Sequence, residues 1–416
     1  MTNPIGARTQ LVALHLVQPI GSDLDAAFPA ERFEVRILTG GPIEDAVRPW
    51  VPVTVPVESA PTESWAERLR EIAGGGRLEV VTNDEYCLEL CAELRRELGL
   101  PPRLDVPLAS YRDKVLMKAA LTEAGVAVPT FLSLDPVPPA SEAVVGEILG
   151  ALGSRIVVKP RREANNRGVT AIDSPAKLGR WLRAHGGETG WEVERFLEGD
   201  VFHVNAVVED GQVKPLLVGE YVGSPLALEG GGAIGSITIP SEAAVAEEGR
   251  ALNRRVVEAL GGGGRFVIHT EFVREPSGRL VLLETAARAP GGLVSEVAVL
   301  HLGVHLEQLN FALQAGEAGM APVPTGVFSA WLWFPRSEEG NGPPPAPRCE
   351  HRLEILPPTS SIAYSLLVWD SDPERLREEV RTAAARDASD PRGVSFTCGA
   401  TAPAARAARS RRWRRD

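Results

Sequence analysis

Two glutamates, Glu271 and Glu284, lie on either side of the one clear turn in the segment RFVIHTEFVREPSGRLVLLETAAR. A two-residue Ser277-Gly278 loop would pair 276 with 279, 275 with 280, and so on outward, which predicts Glu271 directly opposite Glu284. Directly opposed residues share a face with Cβ atoms roughly 4.5–5.5 Å apart, where like charges repel. The neighbours Phe266, Val267, Ile268, Phe272, Val273, Val281, Leu282 and Leu283 are apolar on both faces, so a hard cation with oxygen ligands is the partner this pair invites. Two alternatives stay open on the hairpin alone: a register shifted by one, which sends the glutamates to opposite faces, and a proton shared by the two carboxyls.

Arg288 follows four residues after Glu284 and precedes Ala289-Pro290-Gly291-Gly292, a loop whose bare backbone can approach a ligand closely. A guanidinium there suits a carboxylate or a phosphate, and an arginine in a surface turn is the plain alternative. The chain has five lysines (Lys114, Lys118, Lys159, Lys177, Lys214) against 39 arginines, so the lysines that remain are informative. Lys159 ends the apolar strand IVVK before Pro160, where a buried ammonium needs an anionic partner unless it snorkels to the rim. The polar loop RREANNRGV at 161–169 supplies donors and mobility suited to closing over phosphates.

The elements that must position these residues read as α/β. Strands over 9–16, 33–39 and 51–57, then a strand running into a helix that stops at Gly99, form a small first unit. Pro101-Pro102 punctuate the chain before the helix of YRDKVLMKAALTEAG. From 154 the texture is strand, loop and strand, with Asp210-Gly211 joining two strands in a hairpin. Residues 221–240 are glycine-rich and read as a loop, 241–260 and 293–315 as helices, and the stretch beyond 320 as a small third lobe with strands near 327–334 and 362–368 and a helix near 373–386.

Composition narrows the function. A chain of 416 residues exceeds one compact core and fits two or three domains. A net charge of −11 opposes a nucleic-acid footprint, and the basic tail at 402–416 reads as a solvated end. No apolar run is long enough to span a membrane and the N-terminus lacks the order of a signal peptide, so a cytoplasmic address is the expectation. Cys87 and Cys91, four apart in an apolar helix, read as core packing, and Cys349 and Cys398 add no zinc pattern.

In their order and spacing, Lys114, V-V-K-P at 157–160, the loop ending in Arg167-Gly168, V-E-R-F-L-E-G at 193–199, H-T-E-F and L-L-E-T-A-A-R resemble the ATP-grasp superfamily over about residues 106–318. Within it the chain looks most like the carboxylate–amine ligases that include the bacterial L-amino-acid (dipeptide) ligases. The resemblance implies a pre-ATP-grasp α/β domain at 1–105, a two-part ATP-grasp domain at 106–318 with a lid at about 130–195, a C-terminal lobe at 319–400 and a basic disordered tail at 401–416. It implies ATP and Mg²⁺ (or Mn²⁺) as cofactors, with Glu271 and Glu284 as metal ligands and Lys114 and Lys159 on the nucleotide phosphates. Asn166, Arg167 and Gly168 would belong to the lid loop, and Glu194, Arg195, Phe196 and Leu197 would read adenine.

Two positions depart from the superfamily's pattern. Ala286 stands where an asparagine commonly follows the second metal glutamate, which puts a second metal in doubt. Val201 stands where an acidic residue often binds ribose, and His203 with Asn205 on the same face are the substitutes.

The expected reaction activates a carboxylate, as of an amino acid, as an acyl phosphate and joins it to an amine. Arg288 with Gly291 and Gly292 would steady the reacting centre, while Tyr221, Ser224, Ser236 and Arg288 would contact substrate. Small carboxylates and amines are the expected partners, with no nucleic acid or membrane and a homodimer as the expected assembly. The alternatives are a carboxylase working through carboxyphosphate and a non-catalytic ATP-binding module.

Overall fold

The structure, a computed structural model, describes residues 8–385 apart from 50, 53, 224–231, 337–342, 345 and 359. Ser224, Cys398 and the basic tail lie outside the described residues. The chain forms a mixed α/β fold on three sheets.

The first sheet is parallel, with strands ordered Val57–Ser59, Phe33–Thr39, Thr9–His15, Leu78–Thr82. Its central strands Thr9–His15 and Leu78–Thr82 are buried almost throughout, as a sheet covered on both sides requires. Trp65, Leu69, Cys87, Cys91 and Leu94 from two helices pack on one face. Both cysteines are buried and free, in the packing role expected of them. Among the described residues of 51–57, where Pro52 and Pro56 lack an N–H for a ladder, Val57 alone is in a strand, Val57–Ser59.

The second sheet is antiparallel, ordered Phe131–Leu134, Trp191–Arg195, Ile156–Pro160, Thr170–Ile172, and is backed by the helices Glu142–Leu152 and Pro175–His185.

The third is the large one. It runs Leu280–Ala286, Gly263–Arg274, Asp200–Glu209, Gln212–Val222, Ile234–Thr238, Phe328–Pro335, Ile362–Asp370, Glu350–Ile355. The strands of the stretch read as a small third lobe continue this sheet. The link is Ile234–Thr238, inside the stretch read as a glycine-rich loop, where a Cβ at Gly235 would lie 1.9 Å from the Trp331 carbonyl oxygen. The edge strand Glu350–Ile355 is largely exposed and mostly polar, with Leu353 and Ile355 as its apolar residues, so it carries little hydrophobic signal.

Residues 293–315 form two helices, Val294–Leu302 and Leu306–Gln314, broken where Gly303 takes φ 69°. The second is a wedge. Its Leu306, Leu309 and Leu313 pack beneath the large sheet, and its Phe311 packs into the core of the first. The Asp210-Gly211 turn forms as expected, with positive φ at both residues and Glu209 paired to Gln212.

The large sheet sets its site residues by register. His203 pairs with Glu271 and Asn205 with His269, which puts all four on one face. A Cβ at Gly219, opposite His203, would sit 2.4 Å from the imidazole Nε2. Gly219→Ala is therefore expected to lower stability by about 1–3 kcal/mol through overpacking. Urea unfolding checks this, and an unchanged midpoint would show that the imidazole does not lie over that strand.

Candidate active site

The pairing of Glu271 with Glu284 is present, but it arises differently from the simple hairpin. Glu275 N–H donates to the Arg279 carbonyl, so the loop holds three residues, Pro276, Ser277 and Gly278. That register alone would put Leu283 opposite Glu271 and turn Glu284 to the other face. A bulge between Glu271 and Phe272 corrects it: Phe272 pairs with Leu282, Glu271 with Glu284, and Leu283 is the extra residue.

A hydrogen-bonded chain supports Glu271 from the sheet beneath. The Tyr221 hydroxyl donates to Glu271 Oε1 at 2.5 Å, and His269 Nε2 lies 3.2 Å from the same oxygen. His269 Nδ1 reaches Asn205 Oδ1 at 2.9 Å, and the Asn205 amide reaches His203 Nδ1 at 2.9 Å. His203 Nε2 meets Ser236 Oγ at 3.0 Å, and the Trp331 indole N–H donates to that hydroxyl at 2.9 Å. Burial lowers His203 to a pKa of about 3, so it is neutral and its two ring nitrogens play opposite roles. Burial by itself would raise Glu271, yet His269, by hydrogen bond and charge, and the Tyr221 hydroxyl hold it down at about 2. Tyr221 and Ser236 thus support the acidic face, and Ser236 is fully engaged below it.

Glu284 faces the helix Lys114–Glu123. Lys114 Nζ lies 3.0 Å from Glu284 Oε1 and donates to the Glu163 carbonyl at 2.6 Å, joining the metal-ligand candidate to the 161–168 loop. Asp113 caps this helix and also takes Arg161 on both carboxylate oxygens, at 3.0 and 2.7 Å. Lys159 is buried and reaches Glu194 Oε1 at 2.7 Å, with Glu192 Oε1 3.7 Å away. The unforeseen member is Lys118, wholly buried, 2.6 Å from Glu192 Oε1 and also bonded to Glu194. Burial opposes ionisation of Glu194, but the two ammonium groups outweigh it and keep the carboxyl below its ordinary range.

Arg288 is held by a residue of the first unit. Its Nε and Nη2 donate to Glu85 Oε2 at 2.8 and 2.6 Å, and Nη1 donates to the Ala289 carbonyl at 2.8 Å. Arg112 donates to the other Glu85 oxygen at 2.7 Å. Gly292 has φ 63°, and a Cβ on it would lie 2.5 Å from the Trp331 ring, so this loop has no room for a side chain there. A Cβ on Gly291 would lie 3.6 Å from Asn165 Oδ1, which brings the 161–168 loop against the arginine loop.

Other expected residues lie around this centre. Asn166 takes φ 57° and Gly168 φ 71°, the latter backed onto Pro160, while Arg167 is exposed and 3.9 Å from Glu163. The Arg195 side chain pairs with Glu275 at 2.8 Å, and Phe196 carries the Arg155 guanidinium 4.1 Å above its ring. Backbone N–H groups of Arg195 and Phe196 donate to Thr130 and Arg155 carbonyls, whereas that of Leu197 makes no backbone bond among the described residues. Of these three, Leu197 is the one whose N–H has no backbone partner among the described residues.

No family model matches the sequence, and no curated protein does. Solved structures do. An L-amino acid ligase from Bacillus licheniformis superimposes with TM-score 0.63 at 18% identity, covering 90% of this chain and 98% of that one. The N5-carboxyaminoimidazole synthetase from Staphylococcus aureus, complexed with ADP, gives TM-score 0.66 at 12% identity, with 91% and 98% covered. The carboxyaminoimidazole ribonucleotide synthase from Aspergillus clavatus, complexed with ATP, gives 0.67 at 15%, with 90% and 97% covered. The chain has the ATP-grasp fold.

Within the ATP-grasp fold the donor set suits magnesium better than a metal caged by protein alone. Glu271 and Glu284 offer carboxylate oxygens only, and among the described residues no group of three or more His, Cys, Asp or Glu side chains is arranged to hold an ion. Mg²⁺ keeps several waters and binds through one or two carboxylates plus phosphates, which fits two glutamates with a lysine ammonium beside one of them.

The buried charges give two predictions. Glu271, Glu85 and Glu194 all ionise more readily in the fold than at the ordinary 4.5. Their contribution to stability is complete above about pH 4.5 and is lost as pH falls, for Glu271 toward about 2. Unfolding free energy measured across acid pH should therefore fall below about 4.5, and a value independent of pH there would contradict these ion pairs. Lys118→Met leaves two buried carboxylates to share Lys159 and should cost about 3–5 kcal/mol in a denaturant titration.

Proposed function

We propose that the chain is an ADP-forming ligase that activates a small carboxylate, such as that of an amino acid, as an acyl phosphate and joins it to an amine. One observation carries this reading. Arg288, on which the charges of Glu284 and Glu271 both act, spends three of its five N–H groups on Glu85 and Ala289 and has one left on each terminal nitrogen. That N–H pair suits a carboxylate or a transferring phosphoryl group.

In the first step a substrate carboxylate oxygen attacks the γ-phosphorus of ATP, the bond to the β-phosphate bridging oxygen breaks, and ADP leaves. In the second the amine nitrogen attacks the acyl carbon, phosphate leaves, and a proton is released from nitrogen. Glu271 and Glu284 would hold Mg²⁺, which when bound supplies positive charge to the phosphate oxygens. Lys114 and Lys159 bind the phosphate chain, Leu197 reads the base, and the 161–168 loop is the lid that keeps water from the acyl phosphate. Carboxylation through carboxyphosphate is the second reading, supported by the likeness to the carboxyaminoimidazole synthetases.

Hydroxylamine separates the two, since it converts an acyl phosphate to a stable hydroxamate and phosphate. With Mg-ATP, the twenty proteinogenic L-amino acids and hydroxylamine, the expected products are ADP and an amino-acid hydroxamate in equal amounts. ADP release that requires bicarbonate and gives no hydroxamate would favour the second reading and contradict the first. Glu284→Ala should lower hydroxamate formation by about 100-fold or more, the scale on which loss of one group stabilising transition-state charge acts.

A further inference from the structure

The turn after strand Leu78–Thr82 touches both sides of this site. Asn83 Oδ1 accepts from the Ala289 backbone N–H at 2.9 Å and from Asn310 at 2.9 Å, while Glu85 takes Arg288 and Arg112 on its two oxygens. The next residue reaches the other way. The Tyr86 hydroxyl donates to Glu163 Oε2 at 2.6 Å and accepts from Ala164 N–H at 3.3 Å, and Glu89 binds Arg162. From a neighbouring loop of the same unit, Arg48 donates to the Gly292 carbonyl at 2.7 Å.

The turn is itself anchored firmly. Asp84 accepts the backbone N–H groups of Leu16, Val17 and Gln18 on one oxygen, at 2.7, 2.6 and 3.0 Å, and that of Tyr86 on the other at 3.0 Å. Glu85 N–H donates to the Gln18 side chain at 2.8 Å. A carboxylate with this many backbone donors is a rigid fixture, so the groups on either side of it have little freedom.

We infer that the segment 83–89 is a positioning element for the reaction: Asn83 and Glu85 aim the Arg288 loop at the reacting carboxylate while Tyr86 and Glu89 hold the 161–168 loop over it. The inference rests on the ligase reading. Glu85 occupies the Nε side of the guanidinium, which fixes its plane and leaves the terminal N–H groups for substrate. Asn83 takes the Ala289 N–H, so Gly291 and Gly292 are the loop positions left to donate backbone N–H groups to the acyl oxygen. The turn binds both loops from one rigid base, so displacing either loop from it costs the alignment of arginine with the acyl phosphate or the exclusion of water.

Three variants test this: Asn83→Ala, Glu85→Gln and Tyr86→Phe, the last removing one oxygen and keeping the ring that lies 5.1 Å from the Arg112 guanidinium. Four readouts are taken on the full chain: ADP binding, amide hydrogen exchange over 286–293 and 161–168, KM for the amino acid and for ATP, and hydroxamate formed per ADP with the twenty L-amino acids. ADP affinity should stay within about twofold. Exchange should rise about tenfold over 286–293 in Asn83→Ala and over 161–168 in Tyr86→Phe, as for loops released from a rigid base. Asn83→Ala and Glu85→Gln should raise KM for the amino acid and leave KM for ATP in place, whereas Tyr86→Phe should release more ADP per hydroxamate as water enters. Unchanged exchange, or ADP affinity falling in step with activity, would overturn the inference. If the wild-type chain forms no hydroxamate the ligase reading fails, and the exchange and ADP-binding results still decide whether the turn holds both loops.

Discussion

Two carboxylates facing each other across an apolar hairpin are the constraint that the rest of this molecule answers. Glu271 and Glu284 repel each other at cross-strand distance, partly buried among the apolar residues that flank them. The fold answers by surrounding them with donors and positive charge. Tyr221 donates to Glu271, the His269 ring lies against the same oxygen, Lys114 stands at Glu284, and the charges of both glutamates act on Arg288. A hairpin that served stability alone would have no reason to keep such a pair.

The same logic runs outward through all three sheets. Lys114 ties Glu284 to the 161–168 loop of the second sheet, and Lys118 and Lys159 hold Glu192 and Glu194 within it. Arg288 ties the large sheet to Glu85 of the first. Buried ion pairs of this kind are expensive to desolvate and contribute little net stability, so their return is geometry. Each loop that would handle ATP or substrate is anchored by a charge from a different unit.

How much of this was legible follows from distance along the chain. The opposed glutamates were visible because both their turn and their strands lie within one segment, although the pairing arose from a three-residue loop and a bulge that offset each other. Lys114, Lys159 and Arg288 showed as residues of the right type at strand and helix ends. Their partners did not: Glu85 lies 203 residues from Arg288, and Lys118 lies 74 and 76 from Glu192 and Glu194. Lys118 carried one weak signal, being among few lysines in an arginine-rich chain. Strand Ile234–Thr238 was lost to its small residues, which are there because the Trp331 backbone passes close by, and with it went the continuity of the large sheet.

Binding of a metal by the opposed pair is the claim on which the reading stands, and Mn²⁺ reports on it directly. Electron paramagnetic resonance of Mn²⁺ titrated into the protein with a non-hydrolysable ATP analogue should show stoichiometric binding in the wild type. The same titration with Glu271→Gln should show that signal lost while the analogue still binds through the lysines. Equal Mn²⁺ binding in both proteins would contradict the account, because the metal would then be held by the nucleotide alone and the like-charge pair would have no partner.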